Sequence, residues 1–256
     1  MSFEAAPIWL VFLGTVVLVL ICLRIGLLVG RRRQRLADGK LEGPGAIVGA
    51  AMGLLAFMLA FTFNTAANRY DARKALVIEE TNAIGTTWLR AGFLGDPHRA
   101  AMRGLLRDYV DLRVKVAVSG FDVEEALRQT DAMHDKMWAI AEETGRRDSG
   151  SITTGLFIQS LNDVIDVHLK RLTMGVRNRV VPTIWATLYL LLVVGMIMMG
   201  IQLGMSPSRH FGLELALAAT FALVMVLIAD LDRPQEGLVR VSQQAMVDLQ
   251  TKLHKP

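Results

Sequence analysis

Four apolar segments lie along the chain in two pairs, at about 8–30, 44–63, 180–203 and 211–229. Each is near the roughly 20 residues that a helix needs to cross about 30 Å of hydrocarbon, so four transmembrane helices are predicted. The long stretch between the pairs is polar but keeps a helical period. Asp96 followed by Pro97 reads as an N-cap with proline at the first helical position, opening a helix that carries Met102, Leu105, Leu106, Tyr109 and Leu112. Asp122 with Glu125 three residues on reads as a capping box for a second helix, with Leu127, Met133, Met137, Trp138 and Ile140. Phe157, Leu161, Val164, Ile165, His168 and Leu172 form a third stripe that leads towards the third span. The pattern predicts an all-α membrane protein, four transmembrane helices in two pairs with a helical polar domain between the second and third spans. Its expected divisions are 1–63, a polar domain at 64–179 continuous with spans two and three, 180–231, and a polar tail at 232–256.

Composition agrees with this division. Of 256 residues, 52% are hydrophobic and 20% charged, too apolar for an ordinary soluble enzyme and too charged to lie wholly in lipid. The basic residues follow the first apolar run instead of preceding it, so that run reads as a span and not as a cleaved signal peptide. The net charge of +4 gathers at membrane ends, in Arg31, Arg32, Arg33, Arg35 and Lys40 and again in Lys170, Arg171, Arg177 and Arg179. Membrane lipids, and not nucleic acid, are the partners such placement suggests. An even number of spans puts both termini and the polar domain on one side. The arginines after a tail free of Lys and Arg argue that this side is external, whereas Arg69, Arg73, Lys74, Arg233 and Arg240 give the same side its own claim to the cytoplasm. The single cysteine, Cys22, lies inside the first span as a small apolar filler.

The second span carries the candidate functional residues. Gly45, Gly49 and Gly53 bare one helix face for close approach by another helix, within the chain or between subunits. Leu54, Met58 and Phe61 form an apolar stripe that suits a narrow pore neck, lipid contact or ordinary packing. Asn64, Asn68, Arg69 and Arg73 follow at the membrane exit, where amides and guanidiniums gather anions at a pore mouth or simply snorkel and form ion pairs. Arg24 and Glu214 sit near enough to helix ends to reach the interface, and Arg99, Arg103 and Arg107 read as a solvated or ion-paired stripe. The five histidines have no metal-ligand spacing, and phosphate-loop, dinucleotide and nucleophile-elbow motifs are missing. No catalytic set, metal site or cofactor is expected, and the chain does not read as an enzyme.

The stretch AFTFNTAANRYDARKALVIEETNAIGTTW, the Arg107–Tyr109 region and the tail DLDRPQEGLVRVS together resemble the bestrophin-like domain family of bacterial integral membrane proteins. The tail motif of Asp230, Asp232, Arg233, Pro234 and Gly237 is the most distinctive part. The run Phe61, Asn64, Arg69, Ala72, Arg73 and Lys74 is in turn similar to the pore-neck exit of bacterial bestrophins, whose relatives include pentameric anion channels. The resemblance implies a multi-pass protein of the bacterial plasma membrane, a homo-oligomer passing small anions, with Leu54, Met58 and Phe61 near the neck and Asn64 and Arg69 near its inner mouth. It also implies cytoplasmic termini, opposite to the Arg31–Arg35 reading. Calcium-gated bestrophins carry an acidic cluster after the fourth span where this chain has only Asp230 and Asp232, so no calcium clasp is expected. The alternative function is a non-transporting membrane scaffold or sensor whose helical domain binds a partner.

Overall fold

The computed structural model describes residues 7–36, 44–119, 122–174, 180–205, 211–233 and 237–255. Within them the chain forms α1 (Ile8–Leu36), α2 (Gly45–Arg90), α3 (His98–Ser119), α4 (Val123–Arg147), α5 (Ile152–Leu172), α6 (Pro182–Met205), α7 (Phe211–Asp232) and α8 (Gln244–Leu253), with no strand among the described residues. Four helices, α1, α2, α6 and α7, are long and apolar enough to cross a membrane. The chain divides into two compact units. The first joins residues 1–70 and 179–240, and the second joins 71–178 and 241–256.

In the first unit, α1, the N-terminal part of α2, α6 and α7 share an apolar core that includes Leu23, Leu55, Leu188, Leu192, Met196 and Ile228. The closest approach is between α1 and α6. A Cβ at Gly26 or Gly30 would strike the carbonyl oxygen of Ile197 or Ile201, and one at Gly200 or Gly204 would strike that of Leu23 or Leu27. Four glycines thus let the two backbones touch, which is how helices gain dispersion contact where no hydrophobic effect drives them together. Thr15 Oγ1 and Tyr189 Oη, 3.1 Å apart, add a polar contact across the same pair. Arg24 and Glu214, each expected to reach the interface independently, instead pair at 3.5 Å, with the guanidinium 5.3 Å from the Phe211 ring centroid. A shared partner lowers the cost of a charge near lipid more than separate snorkelling does.

The 46 residues of α2 form one unbroken helix, about 69 Å long at 1.5 Å per residue. Its residues to Tyr70 belong to the first unit and those from Asp71 to the second. Between α5 and α6, residues 175–179, with Arg177 and Arg179, lie outside the described residues.

The second unit is a helical bundle whose core gathers Ile84, Met102, Leu106, Met137, Phe157, Leu161 and, from α8, Met246 and Leu249. Asp122 caps α4 as the sequence predicts, accepting the Glu124 amide at 3.0 Å. Glu125 does not close the box, because its carboxylate is taken by Arg128 and Gln129. The helix after Asp96-Pro97 opens at His98, and the Asp96 carboxylate pairs with Arg99. The expected basic stripe divides: Arg103 and Arg107 both stack on Trp88, each 5.0 Å from its ring centroid, and Arg107 Nε donates to the Leu253 carbonyl. Arg99 thus keeps to the solvated or ion-paired face that the spacing suggested, while Arg103 and Arg107 turn to cation–π contact with Trp88.

Candidate functional site: the exposed face of α2 and a buried charge cluster

Along the first-unit part of α2, Val48, Leu55, Leu59, Thr62 and Ala66 turn inward at helical spacing. The opposite side is left open by the chain's own fold. Leu54, Phe57 and Phe61 are 51%, 65% and 59% exposed, and Asn64 and Asn68 continue the stripe at the same angle, one further turn each. The run at i, i+3, i+7, i+10 and i+14 therefore passes from apolar to amide along a single uncovered line. Met58, which the sequence reading grouped with Leu54 and Phe61, is half-buried against the unit's core. Phe57 takes the place on the open line that the i, i+4, i+7 spacing gave to Met58. Sequence reasoning passed over Phe57; alternative 3- and 4-residue steps were the signal that would have found it.

Gly49 and Gly53 lie on this open side, with no heavy atom of the described residues within 4 Å of where a Cβ would stand. A Cβ at Gly45 would lie 3.4 Å from Gln202 Nε2. The bare face of Gly49 and Gly53 thus meets no other helix among the described residues.

Arg69 turns away from the Asn64–Asn68 line towards α7, its Nη1 3.4 Å from Asp232 Oδ1. The Asp232 carboxylate also accepts the Val180 amide at 3.0 and 3.1 Å, tying the start of α6 to the end of α7. Asp230, two residues earlier, accepts the amides of Leu238 and Val239, both at 2.9 Å. Gly237, with φ of 135°, sits so close to Asp230 Oδ1 that a Cβ would collide with it. Arg233 is buried and its amide donates to the Asp230 carbonyl at 3.2 Å. The motif residue Pro234 lies outside the described residues. Both motif aspartates thus spend their oxygens on backbone amides and an arginine, and the described residues contain no group of three or more His, Cys, Asp or Glu able to hold a metal ion.

In the second unit, Arg73 is buried near the start of that unit's share of α2. Two turns further along, the fully buried Glu80 anchors a polar cluster inside the helical bundle. Tyr109 Oη donates to Glu80 Oε1 at 2.5 Å, Arg113 Nε lies 3.2 Å from the same oxygen, and Arg171 pairs with Oε2. Arg171 also reaches Gln243 Oε1 at 3.4 Å. His168 Nδ1 is 3.3 Å from the Tyr109 hydroxyl, and His134 stands edge-on to His168 with ring centroids 5.1 Å apart. Burial pushes the Tyr109 hydroxyl well above its ordinary range, and the Glu80 charge adds to this. Burial opposes the Arg113 charge, but Glu80 overrides it and holds the guanidinium more firmly protonated. Burial lowers both histidines; beside Arg113, His168 falls to about 3. Two arginines, one carboxylate and two neutral imidazoles leave this interior with a positive excess of one. Sequence reasoning missed it, because its members are separated by up to 91 residues and share no spacing.

The profile of the bestrophin-like domain matches residues 16–246. No curated protein matches the sequence. Among solved structures, the chain is similar to a bacterial bestrophin homologue from Klebsiella pneumoniae at 15% identity, covering 96% of this chain and 97% of that one with a TM-score of 0.70. A substituted form of that homologue aligns at 16% identity over 97% and 98% of the two chains, again with a TM-score of 0.70. At such identity the structural likeness speaks for the fold. The family match spans nearly the whole chain and takes in both the open line of α2 and Asp230, Asp232 and Gly237: the protein belongs to the bestrophin-like family of multi-pass integral membrane proteins.

Proposed function

We propose that the protein assembles as a homo-oligomer in the membrane and conducts small anions through a pore lined by α2. The observation that carries this reading is the line of Leu54, Phe57, Phe61, Asn64 and Asn68, which the described residues of a single chain leave exposed. Repeated about a symmetry axis, three apolar side chains per subunit would form a constriction that passes partly dehydrated ions with little discrimination. The amides one and two turns beyond offer N–H donors where ions regain solvent. Gly49 and Gly53, flanking the line, would admit the neighbouring subunit's helix at short range. Arg69, held by Asp232, supports the wall of this mouth by fixing α2 to α7 and contributes a screened field, whereas Asn64 and Asn68 contact the ion.

The test is chloride efflux from liposomes containing the purified protein, compared with Phe61→Ala and Asn68→Ala. Expected is a measurable flux that rises when Phe61 is truncated and falls when the Asn68 amide is removed. A folded oligomer without flux, in calcium and in its absence and under an imposed gradient, would overturn the channel reading. The protein would then stand as a membrane scaffold or sensor.

A further inference from the structure

The buried cluster of the second unit has two imidazole nitrogens that its hydrogen bonds do not use. Proton accounting identifies them. The Tyr109 hydroxyl has one proton, and its 2.5 Å contact with Glu80 Oε1 takes it. Its oxygen can then only accept from His168 Nδ1 at 3.3 Å, which places the His168 proton on Nδ1 and a bare lone pair on Nε2. That Nε2 is buried and has no hydrogen-bond partner among the described residues, and the same is true of His134 Nε2. The side chains themselves are closed off, with His168 4% and His134 8% exposed.

The two rings differ in what surrounds them. His168, on α5, faces Arg113 and Tyr109 from α3, Glu80 from α2 and Arg171 from its own helix. A proton placed there would join two guanidiniums. His134, on α4, faces the same Glu80 and Arg113, but has Asp131 and Asp135 on its own helix. It also lines a surface cavity of about 280 Å³ together with Asp135, Trp138, Glu142 and Ile165. Water and carboxylates therefore reach the His134 side first.

We propose that His134 is the proton-binding trigger of a latch that fastens α4 to the bundle: neutral, it packs edge-on against His168 and tilted against Tyr109; protonated, it leaves that interior for Asp135, Glu142 and water, and α4 loosens. The driving force is the burial of an imidazolium that has no acceptor inside the bundle; Arg113 adds to it, against the pull of Asp131, Glu80 and Asp135. Released, the charged ring gains both hydration and opposite charge. No other bond is made or broken, and the proton comes from water.

The direction with pH follows from linkage. Both imidazoles are held below their ordinary 6.5 in the closed bundle, His168 at about 3, so the opened form binds protons more strongly. Closure is complete above about pH 6.5 and is lost as the pH falls below it. Each imidazole that charges on opening multiplies the opening constant by up to about tenfold per pH unit.

Hydrogen exchange of the α4 amides in the detergent-solubilised full chain, measured from pH 7.5 to 4.5 and corrected for intrinsic rates, tests this. Expected is protection that falls with acid below pH 6.5, and a profile flattened by close to one proton in His134→Gln. Protection of α4 that ignores pH in the wild-type protein, or an unchanged profile in His134→Gln, would overturn the proposal. Should His134→Gln fail to fold, Asp135→Asn serves in its place. Removing a carboxylate that favours the charged ring must shift the wild-type profile to lower pH, and an unshifted profile overturns the latch.

Discussion

Among single residues, Gly237 and Asp230 are the most tightly constrained pair in the first unit. Asp230 is 2% exposed and its carboxylate accepts two 2.9 Å bonds from the amides just after Gly237. Only a residue without Cβ fits there, because φ is 135° and the Asp230 oxygen occupies the space a side chain would need. Gly237→Ala must swing the tail away, leaving a buried carboxylate short of its donors. The expected cost is about 2–4 kcal/mol, read as a lowered thermal midpoint in detergent. Asp230→Asn should also destabilise, since its amide oxygen keeps only one of the two bonds and its NH2 faces the other backbone amide. A Gly237→Ala protein as stable as wild type would show that the bonds to Asp230 are dispensable. The sequence displayed this motif clearly as a family resemblance. The reason for it was hidden, since neither a positive φ nor a contact across seven residues leaves a trace in spacing.

At the level of elements, the same glycine signal has opposite outcomes in different helices. Gly45, Gly49 and Gly53 recur every four residues, but so do Gly26 with Gly30 and Gly200 with Gly204. The periodicity marks a bare face in each case without saying what will meet it. In the structure α1 and α6 use theirs on each other, while Gly49 and Gly53 meet nothing among the described residues. The four apolar segments were legible for a simpler reason, since length and hydropathy alone decide whether a helix suits a bilayer. Phe57 in place of Met58 shows the limit of that legibility: a helix face drifts between three- and four-residue steps, and packing selects the step. Gly200→Leu is expected to force α1 and α6 apart and cost about 1–3 kcal/mol or more, seen as a lower thermal midpoint or loss of folded protein. Gly49→Leu should leave the thermal midpoint of the separated chain nearly unchanged and reduce the oligomer, as read by light scattering in detergent. If instead Gly49→Leu destabilises the chain and leaves the oligomer intact, the open face of α2 is not a subunit contact.

For the whole molecule, the two units are stabilised by different physics. The first rests on apolar contact and touching backbones, whereas the second closes its bundle around Glu80, Tyr109, Arg113 and Arg171 as well as an apolar core. The sequence predicted the bundle from its periodic stripes, yet it placed His168 in an apolar stripe, counted Arg171 among the basic residues at membrane ends and passed over Arg113. One-dimensional periodicity sorts residues by face and has no means of pairing a carboxylate on α2 with cations on α3 and α5. The cluster has a consequence that discriminates between the units. Glu80→Gln keeps the shape and most hydrogen bonds but leaves Arg113 and Arg171 buried without their counter-charge, a loss of about 3–5 kcal/mol. Because that penalty is confined to the second unit, amides of α3, α4 and α5 should lose exchange protection while those of α1, α6 and α7 keep theirs. Equal loss in all six helices would mean that the chain unfolds as one cooperative body. Unaltered protection in α3–α5 would mean that water already screens the arginines and that Glu80 is not what holds the bundle closed.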